Sequence, residues 1–303
     1  MTLGILCPGQ SAQAPEMIER LRDALQATDV FEAFQEVMGN SIFEVVRQGR
    51  LHENAIAQPV ICAVELAAFQ TVKGAFPAPD YFAGYSIGEL AAYGCAGSIS
   101  ARDLIHLASL RASLMDAAYP TPSGMIAIRG LRETSVSPIC SSNAVHIAIR
   151  NGEDRFVVAG PLDNIAGAIK DAEQRGAHVT PLPVRIASHT PLMHSAVAAF
   201  AKALAATNFK SPTAPVLAGI DGGTVRSREV AIQRLSAQLE TCIDWRGCME
   251  SLKEVGCTTL LELLPGGDLS AMARDAVPSI ASRSMTEFKT LDAAAEWVLR
   301  KEG

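Results

Sequence analysis

Hydrophobic positions divide the chain into short buried strands and helices. Residues 3–7 form an apolar run that ends at Pro8-Gly9-Gln10, which predicts a buried strand stopped by a turn. We expect one helix over 14–28 and another over 58–75, where apolar residues occupy nearly every face. The second helix leads to a predicted strand at 81–83.

A serine between two glycines follows that strand. The segment 84–88 reads Gly-Tyr-Ser-Ile-Gly and continues into good helix formers over 89–94. This order predicts a strand, a tight turn and a helix. A further helix is predicted over 101–118, which Pro120 and Pro122 end.

Residues 124–183 show a different pattern, in which short strands flank two helical segments. The order β-α-β-β-α-β is the split arrangement of ferredoxin-like modules. The predicted elements are strands at 125–131, 145–150, 155–159 and 178–183, with helical segments at 133–141 and 162–175. We interpret 123–187 as an inserted α+β subdomain.

The chain then returns to the first pattern. A helix is expected from Pro191, capped by Thr190. Further predicted elements are a strand at 216–220, a helix at 230–239, a helix after Trp245 and a strand at 259–264. The whole pattern predicts an α/β fold with a discontinuous core formed by 1–122 and 188–303.

Composition narrows the class of protein. The 303 residues are 49% hydrophobic and 19% charged, with a formal net charge of −6. A nucleic-acid binder would need a dominant basic surface, so we do not expect one here. The N-terminus lacks a signal-peptide pattern and no segment approaches 18 uninterrupted apolar residues, so we expect neither export nor membrane insertion.

The cysteines indicate a reducing compartment. There are seven, an odd number, and no two form a Cys-x-x-Cys pair. Most lie in apolar runs, so we expect buried thiols in a cytoplasmic protein and no metal site.

Ser86 is the candidate nucleophile. In Gly-x-Ser-x-Gly between a strand and a helix, the sharp turn exposes the hydroxyl and directs the next backbone N–H toward a developing oxyanion. A chain of this length contains about 0.1 such matches by chance. The non-catalytic alternative is an ordinary glycine-rich turn in an α/β protein.

A serine nucleophile needs a base, and His189 is the best placed histidine. It lies between a predicted strand at 182–186 and the helix that opens at Pro191. His106, His146 and His178 lie inside predicted elements, where a structural role is commoner. His194 falls one turn into the helix and is the second choice. No motif marks an acidic third member, although Asp244 and Asp268 are available, and a backbone carbonyl can also orient imidazole.

Two further residues are candidates for binding. Arg111 lies on the polar edge of an apolar helix, where its guanidinium could pair with a substrate carboxylate. An ordinary surface arginine is the alternative. Gln10 ends the first strand at the same sheet edge as Ser86, the edge where α/β proteins bind ligands.

Together these segments resemble the malonyl-CoA:acyl carrier protein transacylase family, in order and through nearly the whole chain. The matching segments are Pro8-Gly9-Gln10, Gln58-Pro59, 84–89, Arg111, 124–127, 157–160, Ser188-His189 with Leu192-Met193, and 263–266. The resemblance implies a hydrolase-like parallel-sheet core that carries the ferredoxin-like subdomain.

The resemblance also implies roles for single residues. Ser86 would take the acyl group from malonyl-CoA, His189 would be the base, and Arg111 would bind the malonyl carboxylate. The backbone N–H groups of Gln10 and Ile87 would form the oxyanion hole. A carbonyl just before a glycine orients the histidine in this family, and we assign it to Val255. The acceptor would be the thiol of an acyl carrier protein, and no cofactor is implied.

Three segments depart from the usual family pattern. Tyr85 precedes the serine where histidine is usual, the first motif reads Gln10-Ser11-Ala12-Gln13, and Ile186-Ala187-Ser188 precedes His189. Tyr85 with the segment 89–92 is similar to the epsilon subunit of malonate decarboxylase. The favoured hypothesis is therefore that subunit, with other decarboxylase subunits as partners. The alternatives are the transacylase of fatty-acid or polyketide synthesis, a serine esterase or thioesterase, and a non-catalytic subunit.

Overall fold

The computed structural model describes residues 1–10 and 13–301. In the described ranges the strands are β1 (Leu3–Cys7), β2 (Tyr81–Gly84), β3 (Ser123–Arg129), β4 (His146–Arg150), β5 (Arg155–Pro161), β6 (His178–Pro181), β7 (Val216–Leu217), β8 (Thr224–Val225), β9 (Ile243–Asp244), β10 (Thr259–Glu262) and β11 (Ala281–Ser284). The helices are α1 (Glu16–Glu19), α2 (Thr28–Met38), α3 (Ile42–Arg47), α4 (Asn54–Val72), α5 (Ile87–Cys95), α6 (Ala101–Ala118), α7 (Glu133–Asn143), α8 (Leu162–Gln174), α9 (His194–Ala206), α10 (Arg228–Ala237), α11 (Trp245–Glu254), α12 (Asp268–Ala276) and α13 (Leu291–Leu299).

The first sheet has six strands in the order β11-β10-β1-β2-β7-β8. Its first five strands are parallel, and only the edge strand β8 runs antiparallel to its neighbour β7. All five residues of β1 are buried, which explains the continuous apolar run at 3–7 because helices cover both faces of such a sheet. The predicted α/β class is confirmed.

The second sheet contains the predicted β-α-β-β-α-β module, formed by β3, α7, β4, β5, α8 and β6. Its strand order is β6-β3-β5-β4-β9. β9 lies outside 123–187 and pairs in parallel with β4 through Ile149 and Ile243. The second sheet is therefore built from both parts of the chain, and the predicted subdomain boundaries stay a prediction.

Helix α4 passes through the centre of the main hydrophobic core. Within the described ranges it is the one helix whose length and mean hydropathy, 1.5, would suffice to cross a membrane. However, 78% of its apolar stretch is buried inside the protein, where it packs against α5 and α6. Its apolar character on nearly every face, noted in the sequence, follows from this burial.

Some predicted elements differ from the structure. The helix expected over 14–28 is instead the single turn α1, a short 3-10 turn at Leu25–Ala27 and the start of α2. Arg20 donates hydrogen bonds to the carbonyls of Met285 and Phe288 at 3.0 and 2.8 Å, so tertiary contacts determine the path of this segment. The strand expected at 182–186 is irregular.

Candidate active site

Ser86 occupies a strained turn between β2 and α5. Its backbone has φ 58° and ψ −115°, a conformation that costs a non-glycine residue free energy. The flanking glycines are required sterically. A Cβ at Gly84 would lie 2.2 Å from the backbone N of Glu89, and one at Gly88 would lie 2.2 Å from the carbonyl oxygen of Cys7. The turn therefore places the hydroxyl at the carboxyl edge of the first sheet.

His189 meets Ser86 at this edge. The Ser86 Oγ lies 2.7 Å from His189 Nε2, and His189 Nδ1 lies 2.7 Å from the carbonyl oxygen of Gln238. Because a carbonyl only accepts hydrogen bonds, the imidazole hydrogen is on Nδ1, and Nε2 is left to accept the hydroxyl proton of Ser86. The structure thus brings the predicted nucleophile and base into direct contact.

The imidazole is held in its neutral form. His189 is 1% exposed, and burial together with the nearby positive charge of Arg111 lowers its pKa to about 3. The hydrogen bond to the Gln238 carbonyl opposes this shift. A neutral imidazole is the state that can accept a proton from serine.

The carbonyl beside His189 belongs to Gln238, and the assignment of Val255 is wrong. Val255 follows the last turn of α11, where its backbone N–H donates to the carbonyl of Ser251 at 2.9 Å. Gln238 follows α10, and the next residue accepts a backbone hydrogen bond from His189 N at 2.9 Å. No motif in the sequence marks Gln238, because it follows a helix that approaches His189 only in the fold.

Arg111 is a buried cation and not a surface arginine. It is 2% exposed, and its guanidinium donates to Gln58 Oε1 at 2.8 Å and to Gln238 Oε1 at 3.1 Å. Both partners are neutral amides, so neither cancels the charge. Burial lowers the pKa of Arg111 to about 10, so it stays protonated at neutral pH. A buried guanidinium held by amides is suited to receive a carboxylate.

Gln10 and Ile87 follow two neighbouring strands of the first sheet, β1 and β2. Gln10 follows β1, and Ile87 opens α5 directly after Ser86, where helix N–H groups point toward bound anions. The Gln10 side chain also donates to Asn54 Oδ1 at 3.5 Å. Ser11 and Ala12 of the divergent first motif lie outside the described residues.

A cavity of about 420 Å³ opens between the two sheets at this point. Ser86, His189 and Gln10 line it. Apolar residues of the second sheet and several charged residues line it as well. These lining residues include Met125, Ile149, Val157, Arg129, Arg155 and Asp268.

Tyr85 connects the serine elbow, the turn formed by residues 84–88, to the second sheet. Its hydroxyl donates to Asn151 Oδ1 at 3.1 Å, and its ring packs edge-on against Trp245 with centroids 5.4 Å apart. Burial raises the pKa of Tyr85 well above its usual value, so the phenol stays neutral. Tyr85 and Asn151 both line the cavity that contains Ser86.

The remaining candidates lie outside the Ser86–His189 contact. His194 Nδ1 lies 2.6 Å from Glu240 Oε2 on the surface, and Asp244 caps α11. His106, His146 and His178 do not line the cavity. Asp268 lines the cavity, but both ring nitrogens of His189 already have other partners.

Neither metal ligation nor disulfide bonding accounts for the cysteines in the described residues. Across 1–10 and 13–301, no group of three or more His, Cys, Asp or Glu residues is placed to hold a metal ion. All seven cysteines are free thiols, and six of them are buried.

The α/β fold brings together a serine elbow, a neutral histidine and an adjoining buried arginine, a class of site found in acyl-transferring and acyl-hydrolysing enzymes. Residues 6–294 match the model of the acyl transferase domain family. The malonyl CoA-acyl carrier protein transacylase of Mycobacterium tuberculosis is 32% identical over 97% of this chain and 99% of its own length. The Escherichia coli K12 protein of the same name is 28% identical over 95% of this chain and 97% of its own length.

Solved structures give the same result. The crystal structure of MCAT from Mycobacterium tuberculosis superposes with a TM-score of 0.89 at 30% identity, covering 97% of this chain and 100% of that one. A malonyl-transacylase in complex with a type II polyketide synthase acyl-carrier protein gives 0.92 at 28% identity, covering 98% and 99%. The chain belongs to the acyl transferase domain family.

Proposed function

We propose that this protein transfers a malonyl group from malonyl-CoA to the thiol of an acyl carrier protein through an ester on Ser86. The main support for this proposal is Arg111, which is buried and charged. Its hydrogen-bond partner Gln238 also contacts both Ser86 and His189. The names of the relatives reported above support the same substrate and acceptor. A free carboxylate on the acyl group gives Arg111 the counterion that its amide partners do not supply.

Acylation would begin at Ser86. His189 Nε2 takes the hydroxyl proton, Oγ attacks the thioester carbonyl, and the backbone N–H groups of Gln10 and Ile87 stabilise the oxyanion. The carbon–sulfur bond breaks, and coenzyme A leaves as a thiol with the proton returned by His189. The carrier thiol then gives its proton to His189 and its sulfur bonds to the acyl carbon of the Ser86 ester. The carbon–oxygen bond breaks, and Ser86 Oγ takes the proton back from His189. Between the two thiols the acyl group is carried on Ser86, so this chemistry needs no cofactor.

The first test is acylation of the nucleophile. On mixing with malonyl-CoA, the intact wild-type protein should gain the mass of one malonyl group, because Ser86 Oγ is already within 2.7 Å of its base. Ser86→Ala should gain none, whereas the exposed control Ser141→Ala should behave like wild type. Equal acylation of Ser86→Ala would contradict the proposal. Rapid release of free malonate without any carrier protein would instead indicate a thioesterase.

A second, narrower candidate is the epsilon subunit of malonate decarboxylase, which would assemble with other subunits of that complex. The observation in its favour is Tyr85, which stands beside the nucleophile and bonds to Asn151 across the cavity. The names of the relatives support the broader transacylase, so carrier preference has to decide between them.

Carrier preference can be measured with two purified carriers. The decarboxylase hypothesis expects at least about tenfold higher kcat/KM with a malonate decarboxylase carrier protein than with a fatty-acid carrier, a difference of about 1.4 kcal/mol. It also expects Tyr85→His to reduce this preference and Tyr85→Phe, which keeps the ring, to reduce it less. Equal use of both carriers, or a preference for the fatty-acid carrier, would leave the broader assignment.

A further inference from the structure

Glu89 is a buried carboxylate one helical turn from the nucleophile. It lies in α5, has no exposed surface, and does not line the cavity. Its Oε2 accepts two hydrogen bonds, from Gln238 Nε2 at 2.6 Å and from the backbone N–H of Gly219 at 2.9 Å. A carboxyl group buried this deeply needs such partners to offset its loss of hydration.

The bond to Glu89 determines which way the amide of Gln238 points. Glu89 Oε2 accepts from the backbone N–H of Gly219 and from Gln238 Nε2, so the NH₂ end of the amide faces Glu89. The same Nε2 also donates to the carbonyl oxygen of Ser86 at 3.2 Å. The oxygen end consequently faces Arg111, which donates to it at 3.1 Å.

The opposite orientation of this amide would be unfavourable on both sides. The guanidinium of Arg111 carries only donors, so a flipped amide would place NH₂ against N–H. On its other side Arg111 is bonded to Gln58 Oε1 at 2.8 Å, and Gln58 Nε2 is bonded to Asn54 Oδ1 at 2.7 Å. Two amide oxygens with fixed orientations therefore set the position of the guanidinium.

We propose that Glu89 is a positioning residue that holds Arg111 ready for the substrate carboxylate by fixing the side-chain amide of Gln238. This inference rests on the proposed malonyl transfer. The carbonyl that orients His189 is the main chain of Gln238, so the side-chain link bears on carboxylate binding more than on the base.

Glu89 acts through its acceptor oxygen and not through its charge. Both hydrogen bonds fall on Oε2, while Oε1 has no hydrogen-bond partner among the described residues. A glutamine at this position can present its carbonyl oxygen where Oε2 stands. Burial also raises the pKa of Glu89 to about 7, against the opposing effects of its two hydrogen bonds and the charge of Arg111.

The test compares two substitutions of Glu89 for their preference between malonyl-CoA and acetyl-CoA. Glu89→Met removes the acceptor at similar volume, and we expect KM for malonyl-CoA to rise about tenfold, the value of one hydrogen bond between Arg111 and the substrate carboxylate. Because kcat depends on Ser86 and His189, it should change less, and acetyl transfer should change less than about threefold. Glu89→Gln should restore the malonyl preference. Glu65→Met replaces another fully buried glutamate and should leave the preference unchanged.

A second pair of variants tests the route through Gln238. Gln238→Met keeps the main-chain carbonyl and removes the amide, so it should reproduce the selectivity loss of Glu89→Met. The double variant should lose no more malonyl preference than either single variant, because both substitutions break the same link between Glu89 and Arg111. If Glu89→Met does not fold, Gln238→Met alone must still lose the malonyl preference.

Three outcomes would overturn the inference: an unchanged preference in Glu89→Met, equal loss in Glu89→Gln and Glu89→Met, or additive losses in the double variant. Failure of the proposed function is distinguishable from these. It would appear as wild-type protein that malonyl-CoA does not acylate on Ser86.

Discussion

At the scale of single residues, backbone strain is concentrated at the proposed catalytic pair, Ser86 and His189. Among the described non-glycine residues, positive φ values occur at Ser86, Ala144 and His189. Ala144 ends a helix in the left-handed conformation that commonly terminates one. Ser86 and His189 have φ 58° and 61°, and the surrounding hydrogen bonds hold both side chains toward each other. In the proposed mechanism this strain would fix the geometry of proton transfer before substrate arrives.

Arg111 allows a prediction about substrate selection. Arg111→Ala should lower kcat/KM for malonyl-CoA by roughly a hundredfold or more, the loss expected when a buried charged hydrogen-bond partner is removed. Acetyl-CoA has no carboxylate, so its kcat/KM should fall far less. Arg111→Lys keeps the charge but not the two-nitrogen geometry of the guanidinium, so its kcat/KM for malonyl-CoA should lie between those of wild type and Arg111→Ala. Acylation rates with both thioesters check this, and equal losses for both would indicate a purely structural arginine.

Single residues also show how far the sequence could lead. Ser86 could be found because its glycines are needed for a local turn, and His189 because it opens a loop before a helix. The partner of His189 could not be found in the same way. Gln238 is 49 positions away along the chain, and its carbonyl matters only because α10 ends beside His189. Val255 precedes a glycine, which is a local feature unrelated to the contact.

At the scale of elements, the elbow depends on close approach of β1 and α5. The backbone of β1 continues into Pro8 and Gly9. The carbonyl oxygen of Pro8 lies against Gly88 in the first turn of α5, and the Cα of Gly9 lies against Tyr85. Tyr85 N also donates to the carbonyl of Cys7 at 2.9 Å. Gly88 therefore lies at the contact between β1 and α5 as well as in the turn.

Gly88→Ala should be destabilising and inactive. Its Cβ would lie 2.2 Å from the Cys7 oxygen and 2.4 Å from the Pro8 oxygen, both main-chain atoms that cannot move without displacing Gln10. We expect a loss of about 1–3 kcal/mol in the free energy of unfolding, as for other overpacked sites. Acylation of Ser86 should also be lost.

Urea unfolding and acylation measure the two effects, with Gly74→Ala as the matched control. A Cβ at Gly74 would contact nothing within 4 Å, so this variant should keep wild-type activity. Wild-type behaviour of Gly88→Ala would show that the two elements are not in tight contact.

Elements whose periodicity reflects their own packing were predicted well. The helix 101–118 and the β-α-β-β-α-β module are confirmed, because each buries one consistent face. The segment 182–186 reads as a strand because it is apolar, yet it crosses between the two sheets. There Leu182 N donates to the Met125 carbonyl at 2.9 Å, and Val184 packs against both neighbouring clusters. An apolar crossing and a buried strand have the same composition, so the sequence could not separate them.

At the scale of the whole molecule, the site exists because two sheets meet. The first sheet supplies the elbow and the turn after β1, and the second supplies the apolar wall of the cavity. β9 joins the second sheet from outside the inserted module and leads directly into Trp245, which packs on Tyr85. The elbow and the wall are consequently tied together by pairing and packing, which limits how far the cavity can widen.

The molecule also buries titratable groups whose contributions to stability change in opposite directions with pH. Glu262 ends β10 beside the cavity and accepts hydrogen bonds from the N–H groups of Leu269 and Ser270 at 3.2 and 2.7 Å. Burial nevertheless raises its pKa from 4.5 to about 7. Its contribution to stability is therefore complete below pH 4.5 and is lost as the pH rises through 7. His189, with its pKa lowered to about 3, acts in the other direction and loses stability as the pH falls below 6.5.

Between pH 4.5 and 6.5 the two carboxyl groups of Glu89 and Glu262 each stabilise the fold less as the pH rises, whereas the single imidazole of His189 stabilises it more. The free energy of unfolding should therefore fall as the pH rises from 5 to 8. Glu262→Gln keeps an acceptor oxygen but cannot ionise, and should reduce this fall by at most about 3 kcal/mol, the value of a shift from 4.5 to 7. The exposed control Glu173→Gln should keep the wild-type slope. Urea unfolding at several pH values measures all three proteins, and a Glu262→Gln slope as steep as wild type would mean that Glu262 is already ionised in the folded protein at pH 5.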